Sequence, residues 1–600
     1  MSVIERSMRK FHTFIKKINF DTKKYQDEGM EWVLSRELNT PSYQIKGGII
    51  ADEMGLGKTL LMLGSMVTNF HKGDKNLIVV PLSVLNQWRD IIKNRFKLNP
   101  LVYHGTNAKK ITIDDLEDPN KSFVVLTTYG MISKRSKDWV SDLWRVEWTR
   151  FICDEAHHLR NDTKQFHGAL EVIASIKWMV TGTPICNSIN DLYNLLKVVG
   201  FSKKHILNPT KFNDLIKYCM LRRTKISVGL QQQLPGLKEN NIFVPFNNEN
   251  EKKLAELIHR NLSDEPNQYI SCQNLISRHH FSDLMRQRQV CLSTNLIGNA
   301  LKKKKKKIHC DNGDELRNIY ETIDHISELN QSSKLVRIKN DILRSVLYEN
   351  QNTSFSKNKK IVFCVFKHEI NYFMRAFGEK DLVVDYISGE KTRKERELIL
   401  EIAPDILILQ IQTSCEGLNL QEYNELYFTA PSWNPAIENQ AVARVYRLGQ
   451  KKPVSVYKYY SVFDSHNTID NHMKMVQDDK QDIFDYYINI QNNACSHHHK
   501  KCIKNPKDNC SICMEPLKNN LVQLQCGHVY HRECVKNIQN FGNKCALCRC
   551  DIESVTEVKI PKKIKKKKKE KKNIPIGHTP FSFINPNTDF IPIGHTKFSY

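Results

Sequence analysis

The residues Asp52-Glu53-Met54-Gly55-Leu56-Gly57-Lys58-Thr59 follow a short apolar segment at 48–51 and precede an apolar stretch of helical character. Glycines at 55 and 57 allow successive backbone N–H groups to face one anion. The lysine and hydroxyl that follow can serve the β- and γ-phosphate oxygens and Mg2+. This is the chemistry of a phosphate-binding loop. Further along, Phe151-Ile152-Cys153 runs into Asp154-Glu155-Ala156-His157-His158. Phosphoryl transfer needs mainly positioning and charge neutralisation, and two carboxylates at a strand end can supply both. Asp154 would hold the metal through water, and Glu155 would orient and deprotonate the attacking water.

A second constellation reads Cys510-x2-Cys513-x12-Cys526-x-His528-x2-His531-x2-Cys534-x10-Cys545-x2-Cys548. Eight ligands in four pairs imply two tetrahedral zinc ions in closed, structural sites. Metal binding worth about 10 kcal/mol per site would supply the folding energy that about 40 residues cannot. The upstream string Cys495-Ser496-His497-His498-His499-Lys500-Lys501-Cys502 lacks two well-spaced pairs and reads as a polar linker.

The elements that must position these groups follow from pattern. Over residues 11–234, apolar runs at 48–51, 77–80, 123–127 and 151–153 alternate with helical stretches, as a parallel sheet requires. Residues 235–331 are polar and mixed, with a helical pattern at 254–262 and no strand signal, and read as a linker with helical protrusions. The alternation resumes at 332–490, with strands expected at 360–366, 382–387, 405–410 and 425–428. The division expected is an N-terminal extension at 1–10, lobe one at 11–234, the linker, lobe two at 332–490, a short linker at 491–508, the zinc module at 509–551 and a basic tail at 552–600. The fold class is α/β, two parallel-sheet lobes with a small zinc domain and a disordered tail.

The chain has 600 residues, 40% of them hydrophobic, and a formal net charge of +25. That composition can bury several cores and favours a polyanionic partner, nucleic acid ahead of a membrane surface. No apolar run is long enough to span a bilayer and the start lacks a signal-peptide core, so a secreted or membrane protein is not expected. Of the 17 cysteines, those outside the zinc module are scattered singly, which suits a reducing, intracellular compartment. Lysine runs at 302–307 and 562–572 read either as extra phosphate-binding charge or as solvated linkers, and the second also as a nuclear-localisation signal. The tail repeats a decapeptide, IPIGHTPFSF at 574–583 and IPIGHTKFSY at 591–600. It is read as a duplicated docking peptide or as slippage in a tolerated tail.

Over about 11–485 the chain resembles the Swi/Snf-type ATPases of helicase superfamily two, with RecA-like lobes. Tyr25-Gln26-Asp27-Glu28-Gly29 resembles the adenine-reading segment, and Thr127-Thr128-Tyr129 the strand-tracking element. Thr181-Gly182-Thr183-Pro184 resembles the motif coupling hydrolysis to nucleic-acid contact, and Leu221-Arg222-Arg223-Thr224-Lys225 the signature closing lobe one. Arg286-Gln287-Arg288-Gln289-Val290-Cys291 and Ser332-Ser333-Lys334-Leu335 resemble the approach to lobe two. Gly417-Leu418-Asn419-Leu420, Trp433-Asn434-Pro435-Ala436 and the string from Gln440 through Arg444, Tyr446 and Arg447 to Gln450 follow in order. The resemblance implies ATP and Mg2+ as cofactors, with Gln26, residues 52–59, Asp154 and Gly417 at the nucleotide. Lys58, Asp154, Glu155, Arg444 and Arg447 are implied to be catalytic. The two arginines, three apart and expected on one helix face, would stabilise charge at the γ-phosphate as arginine fingers. Two departures stand out: Gln412-Thr413-Ser414-Cys415-Glu416 replaces small, Gly-rich residues, and Tyr446 replaces a common His. Neither removes a catalytic group, so an active ATPase is expected.

The zinc module resembles RING fingers of cross-brace type. That likeness pairs Cys510, Cys513, His531 and Cys534 on one ion and Cys526, His528, Cys545 and Cys548 on the other. It also implies a ubiquitin-conjugating enzyme as partner, docked through Ile512 and Arg549, although Ile538 and Ala546 stand where Trp and Pro are common. The function expected is a duplex-DNA-stimulated ATPase joined to a ubiquitin ligase. It would act in the nucleus, or at a cytoplasmic replication site if virus-encoded. The alternatives are a transcription-associated or RNA-dependent ATPase whose finger only docks protein.

Overall fold

The computed structural model describes residues 2–38, 43–134, 136, 140–186, 189–206, 209–260, 278–297, 332–351, 357–378, 382–414, 418–464, 467–492, 521–524, 529–541, 552 and 555–557. The chain divides into two units, Met1–Ala494 and Cys495–Tyr600. The first contains two all-parallel sheets.

The first sheet is built from β1 (Lys46–Ile50), β2 (Asn76–Val80), β3 (Leu101–Tyr103), β4 (Val124–Thr128), β5 (Trp148–Asp154), β6 (Ala174–Val180) and β7 (Met220–Leu221), in the order β3-β4-β2-β5-β6-β1-β7. Every residue of β2 and β4 is buried, as expected of strands covered by helices on both faces. Alternation sorts them into two cores: Leu77, Val79, Val125, Phe151 and Met179 lie on one face, and Ile78, Val80, Leu126, Ile152 and Trp178 on the other.

The second sheet runs β10-β11-β9-β12-β13-β8, with β8 (Leu237–Pro245), β9 (Lys360–Cys364), β10 (Val384–Ile387), β11 (Ile406–Gln410), β12 (Glu425–Phe428) and β13 (Val454–Val462). Here β8 corrects the expectation that 235–331 holds no strand. It pairs with β13 over nine positions, from Val454↔Leu237 to Val462↔Pro245. As an edge strand it buries only Val244, so its sequence carries no apolar run. Strands β3, β6, β7 and β13 also went unmarked in the sequence, being short, edge-placed or interrupted by Lys and Ser.

The expected N-terminal extension is likewise part of a helix, Val3–Lys17. It opens on a capping box between Ser2 and Glu5 and buries Phe11 and Ile15 in the same core as Met30 and Met66. A boundary after residue 10 would cut it. The helical pattern at 254–262 is the helix Glu249–Arg260.

Buried ion pairs fasten the elements. Arg150, 0% exposed at the start of β5, donates to Glu37 (2.8 Å), Asp74 (3.4 Å), the Asn76 side chain (3.3 Å) and the Asn69 carbonyl (2.9 Å). Trp178 Nε1 donates to Glu37 at 2.9 Å. Burial alone would raise the Glu37 carboxyl, but the Arg150 charge and these hydrogen bonds hold it below the usual range. In the second lobe, Lys334 of the Ser332-Ser333-Lys334-Leu335 motif pairs with Asp470, both 1% exposed, while Ser333 Oγ donates to Glu251 at 2.6 Å. That motif therefore ties two helices to the lobe.

The second unit pairs β14 (Leu521–Leu524) antiparallel with β15 (Val529–His531) and β16 (Val555–Glu557), and β15 leads into the helix Arg532–Phe541. Val522, Leu524, Tyr530, Val535 and Ile552 are buried. Of the expected zinc ligands, His531 closes β15 and Cys534 lies buried in the first turn of the helix. The other six, with Ile512 and Arg549, lie outside the described residues, as do both lysine runs, the repeated decapeptide and the 495–502 string. Among the described residues no helix is long and apolar enough to cross a membrane.

Candidate active site

The register places Ile50, Asp154 and Val180 level across β1, β5 and β6, so the segments leaving these strands meet at one sheet edge. The backbone ladder continues past the strands: Thr181 N donates to Ile50 O at 3.0 Å, and Ala51 N to Leu221 O at 2.7 Å. The phosphate loop, the carboxylate pair and Thr181-Gly182-Thr183-Pro184 are thereby brought together.

Gly55 and Gly57 have φ of 90° and 92°, the left-handed region that glycine enters at little cost, and Gly57 is the N-cap of the helix Lys58–Thr68. A Cβ at 57 would meet Gln26 Nε2 at 2.7 Å, which sets Gln26 directly beside the loop. Gln26 Oε1 accepts from Lys23 N at 3.0 Å and its other end remains at the glycine. Lys58 Nζ donates to the Asp52 carbonyl at 2.9 Å, and Gly182 approaches it so closely that a Cβ there would lie 3.6 Å away. Burial lowers the Lys58 ammonium, opposed by the charges of Glu155, Asp52 and Asp154.

The side chains of two expected loop residues, Asp52 and Leu56, are engaged within the protein. Asp52 is wholly buried and accepts from Arg223 through its Nε (3.1 Å), NH2 and backbone N–H (3.0 Å). Leu56 packs with Tyr25 and Leu230. Both can serve the loop only through their backbone. Glu53 is held by Lys225, whose N–H donates to it at 2.7 Å. Met54 stands against Gly182, and Thr59 occupies the first turn of the helix.

Both Asp154 oxygens are oriented: Oδ2 accepts from Trp88 Nε1 at 2.8 Å and Oδ1 from Glu155 N at 3.0 Å. Its carbonyl accepts from Tyr129 OH at 2.6 Å. Glu155 adopts φ 49°, ψ 47°, a left-handed turn uncommon for a non-glycine residue. His157 Nδ1 lies 3.3 Å from both Glu155 Oε2 and Thr181 Oγ1, linking the carboxylate to the third motif. Burial and the neighbouring Glu155 charge push Asp154 up. Burial would also raise Glu155, but His157, Lys58 and Arg444 outweigh it and hold this carboxyl low.

Arg444 belongs to the second lobe, and its charge helps to hold Glu155 low; two residues on, the Tyr446 carbonyl accepts from Lys225 Nζ of the first lobe at 2.9 Å. Arg444 lies in the last turn of the helix Pro435–Val445, which begins at Asn434, whose side chain accepts from Ala436 N at 3.0 Å, with Pro435 at the first position. Arg447 is not on that helix: the chain leaves helical geometry at Tyr446, so the two arginines share a helix end and its turn rather than a face. Their charges still interact, the Arg447 guanidinium being lowered by burial and by Arg444. Gly417, with Cys415 and Glu416, lies outside the described residues.

The donor set fits a nucleotide polyphosphate with a hard divalent cation: turned glycine backbone, one lysine, one oriented carboxylate and an arginine from the facing lobe. Mg2+, when bound, would supply charge neutralisation of the phosphate oxygens, with Thr59 and Asp154 as the residues suited to hold it. Sequence reasoning passed over Trp88, because an indole carries no spacing signal, and gave Arg223 and Lys225 no individual role within their motif.

Comparison with known proteins agrees with this geometry. Residues 25–206 match the SNF2-related domain, 338–449 the helicase conserved C-terminal domain and 508–549 the Ring finger domain. The chain thus carries the domains of SNF2-type helicase-like ATPases, with a RING finger C-terminal to them. Domains of this kind imply ATP and Mg2+, and a RING finger implies zinc. It is 27% identical to the "Probable global transactivator" of Orgyia pseudotsugata multicapsid polyhedrosis virus, covering 76% of this chain and 89% of that protein. It is 25% identical to Transcription termination factor 2 of Drosophila melanogaster (77% and 56%) and 26% identical to the mouse Helicase-like transcription factor (68% and 50%). It thus spans about half the length of the fly and mouse relatives. The solved Sulfolobus solfataricus SWI2/SNF2 ATPase core in complex with dsDNA aligns at 24% identity and TM-score 0.33, covering 74% of this chain and 88% of that one. At that score the likeness carries no weight beside the sheet topology.

Proposed function

We propose that the chain is a translocase on duplex DNA whose two lobes close on ATP, joined to a RING ubiquitin ligase. The observation that carries the motor is that Lys58, Asp154 and Glu155 gather at the edge of one sheet while Lys225 of the same lobe holds, at 2.9 Å, the Tyr446 carbonyl of the turn that carries Arg444 and Arg447. Hydrolysis there requires the lobes to be together, so each turnover is a closing and an opening. In this reading Gln26 reads the adenine edge, Glu155 takes the proton from water with His157 holding its carboxylate, and Arg444 and Arg447 stabilise transition-state charge. A net charge of +25 supports a polyanionic track held through phosphates, with affinity falling steeply with salt.

The finger would hold two zinc ions through Cys510, Cys513, His531 and Cys534 and through Cys526, His528, Cys545 and Cys548, and dock a ubiquitin-conjugating enzyme through Ile512 and Arg549. The site of action is the nucleus or a viral replication site. Triplex displacement from duplex DNA, with Glu155→Gln as the blank, tests the motor: ATP-dependent displacement is expected, and none by an ATP-hydrolysing preparation would refute it. Ubiquitin discharge from a loaded conjugating enzyme tests the finger, and equal slow rates for wild type and Arg549→Ala would refute the ligase. The viral relative, a probable global transactivator, and the fly relative, a transcription termination factor, favour a second reading, a transcription-associated ATPase whose finger docks protein.

A further inference from the structure

One polar contact between the two lobes falls on a side chain that hydrolysis itself does not use. Lys225 is 7% exposed. It is fixed to the phosphate loop by its N–H, which donates to Glu53 Oε2 at 2.7 Å, and by its ammonium, 3.4 Å from Glu53 Oε1. The same ammonium donates to the Tyr446 carbonyl at 2.9 Å and lies 5.0 Å from the centroid of the Tyr446 ring. Tyr446 stands between the two arginines.

The turn it opens is stiff. Gln450 Nε2 donates to the carbonyls of Gln421 (3.0 Å) and Tyr423 (2.9 Å), Gln421 Nε2 donates to Leu448 O, and Gly449 sits at φ 99°. Leu448 packs on the cluster of Tyr25, Leu56 and Leu230, so an apolar contact accompanies the polar one. A buried ammonium is costly unless paired. The partners of Lys225 lie one in each lobe, so its pairing is complete only when the lobes meet. A Tyr at 446 adds a ring face to which a cation is attracted; a protonated His there would repel it.

We propose that Lys225 is a positioning residue, a clasp between Glu53 on the phosphate loop and the Tyr446 turn that sets the closed arrangement bringing Arg444 and Arg447 to the site. The catalytic consequence rests on the arginine-finger reading above; the clasp does not.

The test is Lys225→Met in the full chain, with dyes introduced at the exposed positions Lys93 and Lys394 to report lobe separation with and without a non-hydrolysable ATP analogue. Lys225→Met is expected to lower energy transfer in both conditions and to reduce kcat about 10- to 100-fold, the scale of a misplaced catalytic group. KM for ATP is expected to stay within about threefold and the melting temperature within about 2 °C. Tyr446→His should fall between the two proteins. If Lys225→Met does not fold, Glu53→Gln, which removes the charge but keeps an acceptor, should shift energy transfer the same way. Unchanged energy transfer overturns the clasp. Reduced transfer with an unaffected kcat overturns the finger reading and leaves the clasp standing.

Discussion

Trp88→Phe isolates the group that aims Asp154. The indole is 3% exposed and its N–H donates to Asp154 Oδ2 at 2.8 Å, while Glu155 N fixes the other oxygen. Phe keeps the ring surface against Leu85 and Ile92 and deletes only the donor. A hydrogen bond to a charged acceptor is worth about 1.5–3 kcal/mol, which at about 1.4 kcal/mol per decade is roughly 10- to 150-fold in rate. We expect kcat/KM to fall within that range and half-saturating Mg2+ to rise, because a freely turning carboxylate holds a cation less well. A coupled ATPase assay across Mg2+ concentrations measures both. Mn2+ binding followed by electron paramagnetic resonance reads the site without turnover, and a melting curve separates misalignment from unfolding. If kcat/KM and metal dependence both stay within about twofold of wild type, Trp88 does not position Asp154 and the reasoning fails.

Arg150→Met should destabilise the first sheet by about 3–5 kcal/mol, since it strands Glu37, 0% exposed on its side chain, without its cation. Urea unfolding followed by tryptophan fluorescence would show it, and the double change with Glu37→Gln should recover much of the loss. Because Glu37 is depressed in the folded state, its contribution is present above the ordinary carboxylate range and lost as pH falls toward the depressed value. Glu369 has the opposite sign: burial pushes it up to about 7, so its contribution is full below the unfolded value and declines as pH rises toward and past 7. Glu369→Gln, which can still accept from Val365 N and Phe366 N, should therefore raise stability at pH 8 and flatten its decline between pH values of about 4.5 and 7, as thermal melts across pH would show. Chelation at neutral pH should release about two zinc ions per chain and abolish the ordered signal of the second unit, measured by a colorimetric zinc assay beside circular dichroism.

The α/β class and most central strands could be read because parallel strands buried on both faces are continuous apolar runs, as at β2 and β4. The strand β8 could not, because an edge strand with one buried side chain has no such run. Motif residues with a fixed chemical type, Lys58 and the 154–155 pair, stood out by spacing, and the fold sets them at one sheet edge. What escaped was long-range partnership. Nothing near Asp52 in sequence announces that Arg223 takes its carboxylate, or that Trp88 aims Asp154. The helix end at Tyr446 was also invisible to a three-residue spacing rule, since that rule assumes the helix continues.

The central claim is a motor driven by ATP on duplex DNA. Steady-state ATP hydrolysis with no polymer, duplex DNA, single-stranded DNA and duplex RNA, using Glu155→Gln as the blank, tests it most directly. The account predicts stimulation by duplex DNA that fades as salt rises. Stimulation by RNA alone, or by no polymer, would contradict it.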